Sequence, residues 1–352
     1  MERASPKPAR AEHARPDLTS PADIPDTSSV GVWMLSDGHA GNVRQAAALV
    51  AALGDRPTHA WTLAPHAPWR WLAPRKLPGS TLSFGREFRR ALAAPPTLAI
   101  GCGRQAALAT RLLRERGARV VQILDPRIDP RHWDLVIAPG HDELRGDNVL
   151  SLLGSLHPVD DAWLAQARED FSVLAQLPQP RTTLLLGGPS RHAGMDDSML
   201  ATHFARLERV LRREGGSLLV TTSRRTPKSW CALVRQHFGS IPGMRWFGAK
   251  SGRANPAGDG DDNPYPGLLA WADRILCTPD SVNMLSEACA TRVPVFVIDP
   301  GRTRGRLRHF HDALLARGRI RELDDMLDPF AVEPLRETAR VTAEVRLRLG
   351  LP

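Results

Sequence analysis

Thr278-Pro279-Asp280-Ser281 is the most chemically suggestive turn in the chain, because it follows an apolar run at Arg274-Ile275-Leu276-Cys277 and opens a helical pattern from Val282 to Thr291. A second strand, Pro294-Val295-Phe296-Val297-Ile298, then completes a βαβ unit. The free N–H groups of a helix opening there offer an anion about half a positive charge. Ser281 and Asn283 add small polar groups at that turn, and Glu287 falls near the second helical turn, where a carboxylate accepts hydrogen bonds from a sugar's vicinal hydroxyls. The competing reading is an ordinary turn with Asp280 as N-cap and Glu287 on a solvated face.

A second group with chemical potential is Ser36-Asp37-Gly38-His39-Ala40-Gly41-Asn42. Gly38 and Gly41 let backbone approach a ligand, and Asp37 and His39 bring a titratable pair to the helix N-terminus, so His39 is the candidate general base. A histidine that only caps the loop is the alternative. The spacing is not GxGxxG, and Asp55 follows a helix rather than a second strand, which counts against a nicotinamide site. Gly101-Cys102-Gly103-Arg104 opens another helix, and close packing is its simpler explanation. Gly187-Gly188-Pro189-Ser190-Arg191 and Thr221-Thr222-Ser223-Arg224-Arg225 bring hydroxyls and guanidinium groups to the same strand-end edge as Ser281. Arg224 or Arg225 offers a planar fork to phosphate oxygens.

Positioning these loops requires strands that all end on one side. Strands are expected at Val30–Leu35, His59–Leu63, Thr97–Ile100, Arg119–Leu124, Asp134–Ala138 and Asn148–Leu152, with helices at Asn42–Leu53 and Arg104–Arg116. The pattern restarts after Leu177-Pro178-Gln179-Pro180, with strands at Thr182–Leu186, Ser217–Thr221 and Met244–Phe247 and helices at Ser198–Glu214 and Lys228–Phe238. Strand, glycine turn and helix in repetition predict an α/β fold of two Rossmann-like, doubly wound parallel-sheet domains facing across a cleft. Expected boundaries are a disordered tail over 1–28, domains over 29–177 and 178–328, and a helical segment over 329–352 packing back on the first domain. An acidic Gly/Asn/Pro loop covers Ser251–Pro266.

Composition narrows the classes. At 352 residues and 42% hydrophobic content, two cores of ordinary size are accessible. A net charge of +9 suits phosphate, nucleotide or anionic membrane surfaces, while 5% aromatics without a reader motif argue against nucleic acid. Cys102, Cys231, Cys277 and Cys289 form no CxxC pair, so reduced thiols in a cytoplasmic protein are expected and zinc is not. Trp69-Arg70-Trp71 with Arg75-Lys76 joins aromatic anchors to cations as peripheral membrane contacts do, with core packing of the tryptophans as the alternative. The stretch Arg302–His311 has the basic character of an anion-binding or exposed helix face.

Six segments in order carry a family likeness: Trp33–Ala46, Ile100–Leu108, Ile123–Arg127, Leu185–His192, Thr221–Pro227 and Thr278–Ala288. On these the chain resembles the bacterial branch of the elongated-mitochondria fission-factor family. More distantly the layout is similar to the GT-B glycosyltransferases, including the membrane-associated enzyme that adds N-acetylglucosamine to the peptidoglycan lipid precursor. That likeness implies a base at His39, a small-residue turn under the diphosphate at Ser281 and a ribose-binding carboxylate at Glu287. Asp280-Ser281-Val282-Asn283 departs from the Ser-Gly turn of those enzymes.

The expected activity is therefore metal-independent, cofactor-free transfer of a sugar from a nucleoside diphosphate to a lipid or cell-envelope acceptor. Asp37 and His39 would be catalytic, with Gly188, Ser190, Ser223, Arg224, Ser281, Asn283 and Glu287 around the nucleotide. Gly38, Gly41, Asn42, Gly103 and Arg104 would form the acceptor-side loops. A non-catalytic peripheral-membrane adaptor is the rival class, and a nucleotide-sugar epimerase a third.

Overall fold

Short apolar runs separated by glycine turns bury both faces of a strand only when helices cover both sides, which is the arrangement the chain adopts. The computed structural model describes residues 31–54, 57–247 and 264–351. In the first half the order is β1 (Val32–Ser36), α1 (Ala40–Ala52), β2 (His59–Thr62), α2 (Trp69–Leu72), α3 (Gly85–Ala91), β3 (Leu98–Cys102), α4 (Arg104–Arg114), β4 (Arg119–Ile123), β5 (Leu135–Pro139) and β6 (Val149–Leu152). There follow α5 (Asp161–Asp170), β7 (Arg181–Leu186), α6 (Asp197–Glu214), β8 (Ser217–Thr222), α7 (Lys228–Phe238), β9 (Arg245–Phe247) and α8 (Tyr265–Ala270). The chain continues through β10 (Arg274–Cys277), α9 (Val282–Cys289), β11 (Val295–Val297), α10 (Arg306–Ala316), β12 (Arg321–Glu322) and α11 (Thr338–Leu349).

Two six-stranded sheets result, ordered β2-β1-β3-β4-β5-β6 and β12-β11-β10-β7-β8-β9. Every pairing is parallel. The strand order reverses between β1 and β3 in one sheet and between β7 and β10 in the other. At such switch points the flanking helices leave to opposite faces and a crevice opens beyond the strand ends. The turns after β1, β3, β7 and β10 are therefore the loops that border those crevices.

The cores follow from the burial of strands such as β3, β5 and β10, in which every residue is buried. α5 shares a core with the second sheet, through Leu164 and Ala167 beside Leu269 and Ile275. α11 lies on the first half, where Val341, Val345 and Leu349 join Ala46, Leu49 and Val50 of α1. The helical segment expected over 329–352 is helix only from Thr338; the stretch before it holds Pro334, which lacks an N–H and restricts Glu333. α2, α3, α5 and α8 were not expected. The N-terminal tail over 1–28 and most of the acidic loop after Ser251 lie outside the described residues.

α9 is held at both ends. Ser281 accepts from Met284 N at its start, and at its finish the buried Arg319 donates to the carbonyls of Ala288, Cys289, Thr291 and Val293 at 2.8–3.3 Å. A guanidinium there complements the negative end of the helix dipole and satisfies carbonyls that α9 leaves open.

His157 and His311 are 4% and 0% exposed, and burial, their largest cause, lowers each imidazole from 6.5 to about 4. The unfolded chain takes up protons in that window that the folded chain refuses. Stability is complete above about pH 6.5 and falls as the pH drops toward 4. Between pH 7 and pH 5 each histidine should cost roughly 2 kcal/mol. Urea titrations at the two pH values check this, and His157→Gln should reduce the acid loss.

Candidate functional site

β1 ends in buried Leu35 and Ser36, so Asp37 is the first residue to leave the sheet. Its carboxylate accepts from His39 N at 3.0 Å and from Asn42 Nδ2 at 3.0 and 3.1 Å, and it stands 3.0 Å from His39 Nδ1. The His39 side chain is 80% exposed against 14% for Asp37. With Nδ1–H given to Asp37, Nε2 carries the lone pair, which is how a carboxylate prepares an imidazole to take a proton. Gly103 closes the floor of this loop at φ 91°, and a Cβ there would stand 2.6 Å from Asn42 Nδ2. Only glycine accommodates both.

In the second half the turns after β7 and β10 interlock. Gly187 N donates to Thr278 Oγ1 at 2.8 Å, and Thr278 Oγ1 in turn donates to Asp280 Oδ1 at 2.7 Å. Asp280 Oδ2 accepts from Gly188 N at 3.0 Å and from Arg225 Nη2 at 2.7 Å, and its side chain is only 1% exposed. A carboxylate of this chain thus takes a backbone N–H and a guanidinium beside the N-terminus of α9. Any Cβ on Gly187 would lie 2.1 Å from Asp280 Oδ1, so the approach depends on glycine.

The two halves meet at the N-terminal ends of α1 and α9. Gln45 Nε2 donates to Asn283 Oδ1 at 3.4 Å, and a Cβ on Gly41 would stand 2.0 Å from Asn283 Nδ2. Arg44 Nη2 reaches Glu287 Oε1 at 3.0 Å while its guanidinium lies 5.0 Å over the Tyr265 ring. Glu287 is 2% exposed. Burial raises its pKa above the ordinary carboxylate value, and the Arg44 charge and the Tyr265 hydroxyl pull it back. Further along the junction, Arg306 pairs with Asp142 at 2.8 Å and with Asp125 at 3.6 Å.

The sequence model of one family, described as Mitochondrial fission ELM1, matches residues 40–349. The chain belongs to the mitochondrial fission ELM1 family. It is 29% identical over 286 residues to the mitochondrial fission protein ELM1 of Arabidopsis thaliana, an alignment covering 72% of this chain and 64% of that protein. The chain thus spans less than two-thirds of that relative. An uncharacterised protein of Rickettsia prowazekii is 23% identical over 369 residues, covering 92% of this chain and 99% of its own length. Among solved structures, the UDP-GlcNAc 2-epimerase of Methanocaldococcus jannaschii superposes with a TM-score of 0.57 at 12% identity, over 90% of this chain and 98% of the epimerase. That likeness shows a shared GT-B-like fold.

Within this family member, Asp37, Gly41 and Asn42 are brought to the same junction as Asn283 and Glu287. Gly188 is brought to Asp280 rather than left open. Of Arg224 and Arg225, it is Arg225 that reaches Asp280, and Arg224 is exposed. Ser190 Oγ accepts from His192 N, and Ser223 Oγ accepts from Arg225 N, so both hydroxyls hold their own loops. Arg104 donates to the carbonyls of Arg70 and Trp71 at 3.2 Å and anchors α2. The basic stretch Arg302–His311 is no uniform exposed face, because Phe310 and His311 are fully buried. Sequence reasoning missed Arg44, Gln45 and Tyr265. Among the described residues no group of histidine, cysteine and carboxylate side chains is arranged to hold a metal ion. Open hollows of about 520 Å³ beside His141 and His309 and about 760 Å³ beside Arg114 and Arg348 lie apart from the loops after β1 and β10.

Arg44→Ala should leave the Glu287 carboxylate buried without its charge partner, a loss of about 3 kcal/mol at the lower end for breaking such pairs because Arg44 is itself partly exposed. Adding Glu287→Gln should restore most of it. Chemical denaturation of the single and double variants measures both effects, and additivity would show that the pair does not couple.

Proposed function

We propose that the junction binds a nucleoside diphosphate sugar and that His39 takes the proton of an acceptor hydroxyl during transfer of the sugar. One observation carries this reading: the loop that holds the Asp37–His39 dyad leads into α1, and α1 meets α9 through Gly41 beside Asn283 and Arg44 on Glu287. A base on one half and an anion-favouring helix terminus on the other, brought to one junction, are the two groups that displacement of a diphosphate requires. The diphosphate would take the Gly188 N–H and the Arg225 guanidinium in place of Asp280, and the ribose would meet Glu287. No step in this scheme needs a metal ion. The acceptor is a hydroxyl of a lipid or envelope saccharide.

A second reading has its own support. The groups that would meet a nucleotide are already met by this chain, with Asp280 on Gly188 and Arg225 and with Arg44 on Glu287. A shell satisfied in this way also suits an adaptor without turnover, in keeping with the family's association with mitochondrial fission.

UDP and UDP-sugars separate the readings. A ligand at 100 times its Kd should add about 2.7 kcal/mol and raise the melting temperature by several degrees. Glu287→Gln should diminish that rise. His39→Ala should retain it while lowering transfer by about 10²–10⁴. No thermal response to any nucleotide would favour the adaptor.

A further inference from the structure

We propose that the segment between β2 and β3 is a docking surface for an anionic phospholipid bilayer. Six large hydrophobic side chains are exposed among the described residues, and three of them, Trp71 at 61%, Leu72 at 39% and Leu82 at 46%, fall within this one segment. Their neighbours are cationic. Between His66 and Leu92 the segment carries Arg70, Arg75, Lys76, Arg86, Arg89 and Arg90 against one acid of its own, Glu87; all six are exposed, and Lys76 is paired with Glu115 at 2.5 Å.

The patch is built rather than loose. The Trp69 ring closes on Gly79, where a Cβ would be 3.5 Å away, and His66 N donates to Ser83 O at 2.8 Å, so α2 lies beside the Ser80–Leu82 turn. Phe88 of α3 is fully buried and pins the segment to the sheet. Arg104 and Arg111 donate to the carbonyls of Arg70, Trp71 and Pro74 at 2.7–3.2 Å, which fixes the end of α2. Arg70 lies 5.1 Å over the Trp71 ring.

Charge decides what such a surface fits. The core of a protein–protein interface is depleted in charge, whereas exposed cations sharing one segment with an exposed tryptophan and leucines match the headgroup level of an anionic leaflet, with the ring at the interface and the guanidinium groups among phosphates. Arg104 directly follows Gly103, so the patch adjoins the His39 loop. The inference does not depend on nucleotide binding.

Vesicle co-sedimentation of the full chain tests it, using phosphatidylcholine with and without phosphatidylglycerol. The expected result is binding to the anionic vesicles only, weakened by salt. The combined variant Trp71→Ala, Leu72→Ala, Leu82→Ala should bind at least about tenfold more weakly, and Arg70→Gln with Arg75→Gln about fivefold more weakly per cation removed. Unchanged melting temperatures verify that both variants fold, since every altered side chain is exposed. Failure of the parent chain to bind anionic vesicles at low salt overturns the proposal. So does binding that both variants retain, or a concentration-dependent self-association that the same substitutions abolish in the absence of vesicle binding.

Discussion

A carboxylate that is 2% exposed cannot stay charged without a partner, and the partner of Glu287 comes from the other half of the molecule. Arg44 supplies it from the second turn of α1, stacking on Tyr265 as it does so. The desolvation of Glu287 is offset only when the halves sit close enough for this reach. That requirement explains why Gly41, rather than a bulkier residue, faces Asn283, and why Gln45 is buried although polar. The relative seating of the two sheets must satisfy this desolvated ion pair together with the Arg306 contacts to Asp142 and Asp125.

The sheets themselves are not copies of one another. The second has the reversing order of a dinucleotide-binding sheet, whereas the first has its reversal displaced toward the edge carried by β2. Both bring a glycine-bearing turn to the reversal. In the first sheet the turn displays an exposed imidazole oriented by Asp37; in the second it encloses an almost fully buried Asp280 carboxylate. The same topological device thus yields one open and one self-satisfied loop.

Much of this was readable in the residue order. The glycine turns, the parallel strands and the helix from Lys228 to Phe238 follow from periodicity and breakers, because buried parallel strands need unbroken apolar runs. Asp37 beside His39 was legible as a pair because the two are local. Arg44 was not, since nothing in an α1 surface arginine announces a carboxylate more than 200 positions away. The choice between Arg224 and Arg225 was equally hidden, because it depends on which way a tight turn presents its side chains. α2 escaped notice for another reason: at four residues it has too few positions to show a period. Trp71, expected by its type to favour a core, is 61% exposed because the short helix carries its ring outward.

The chain passes between the halves twice, and the two crossings run side by side. His157 N donates to Thr338 Oγ1, Thr338 Oγ1 donates to His157 O, and Leu335 N donates to Cys289 O. The two crossings are thus tied to each other, and the second is also tied to the end of α9. Ser155 N donates to Ser286 Oγ beside Glu287, so the first crossing runs directly past the Arg44–Glu287 pair, and backbone and ion pair tie the halves at one place.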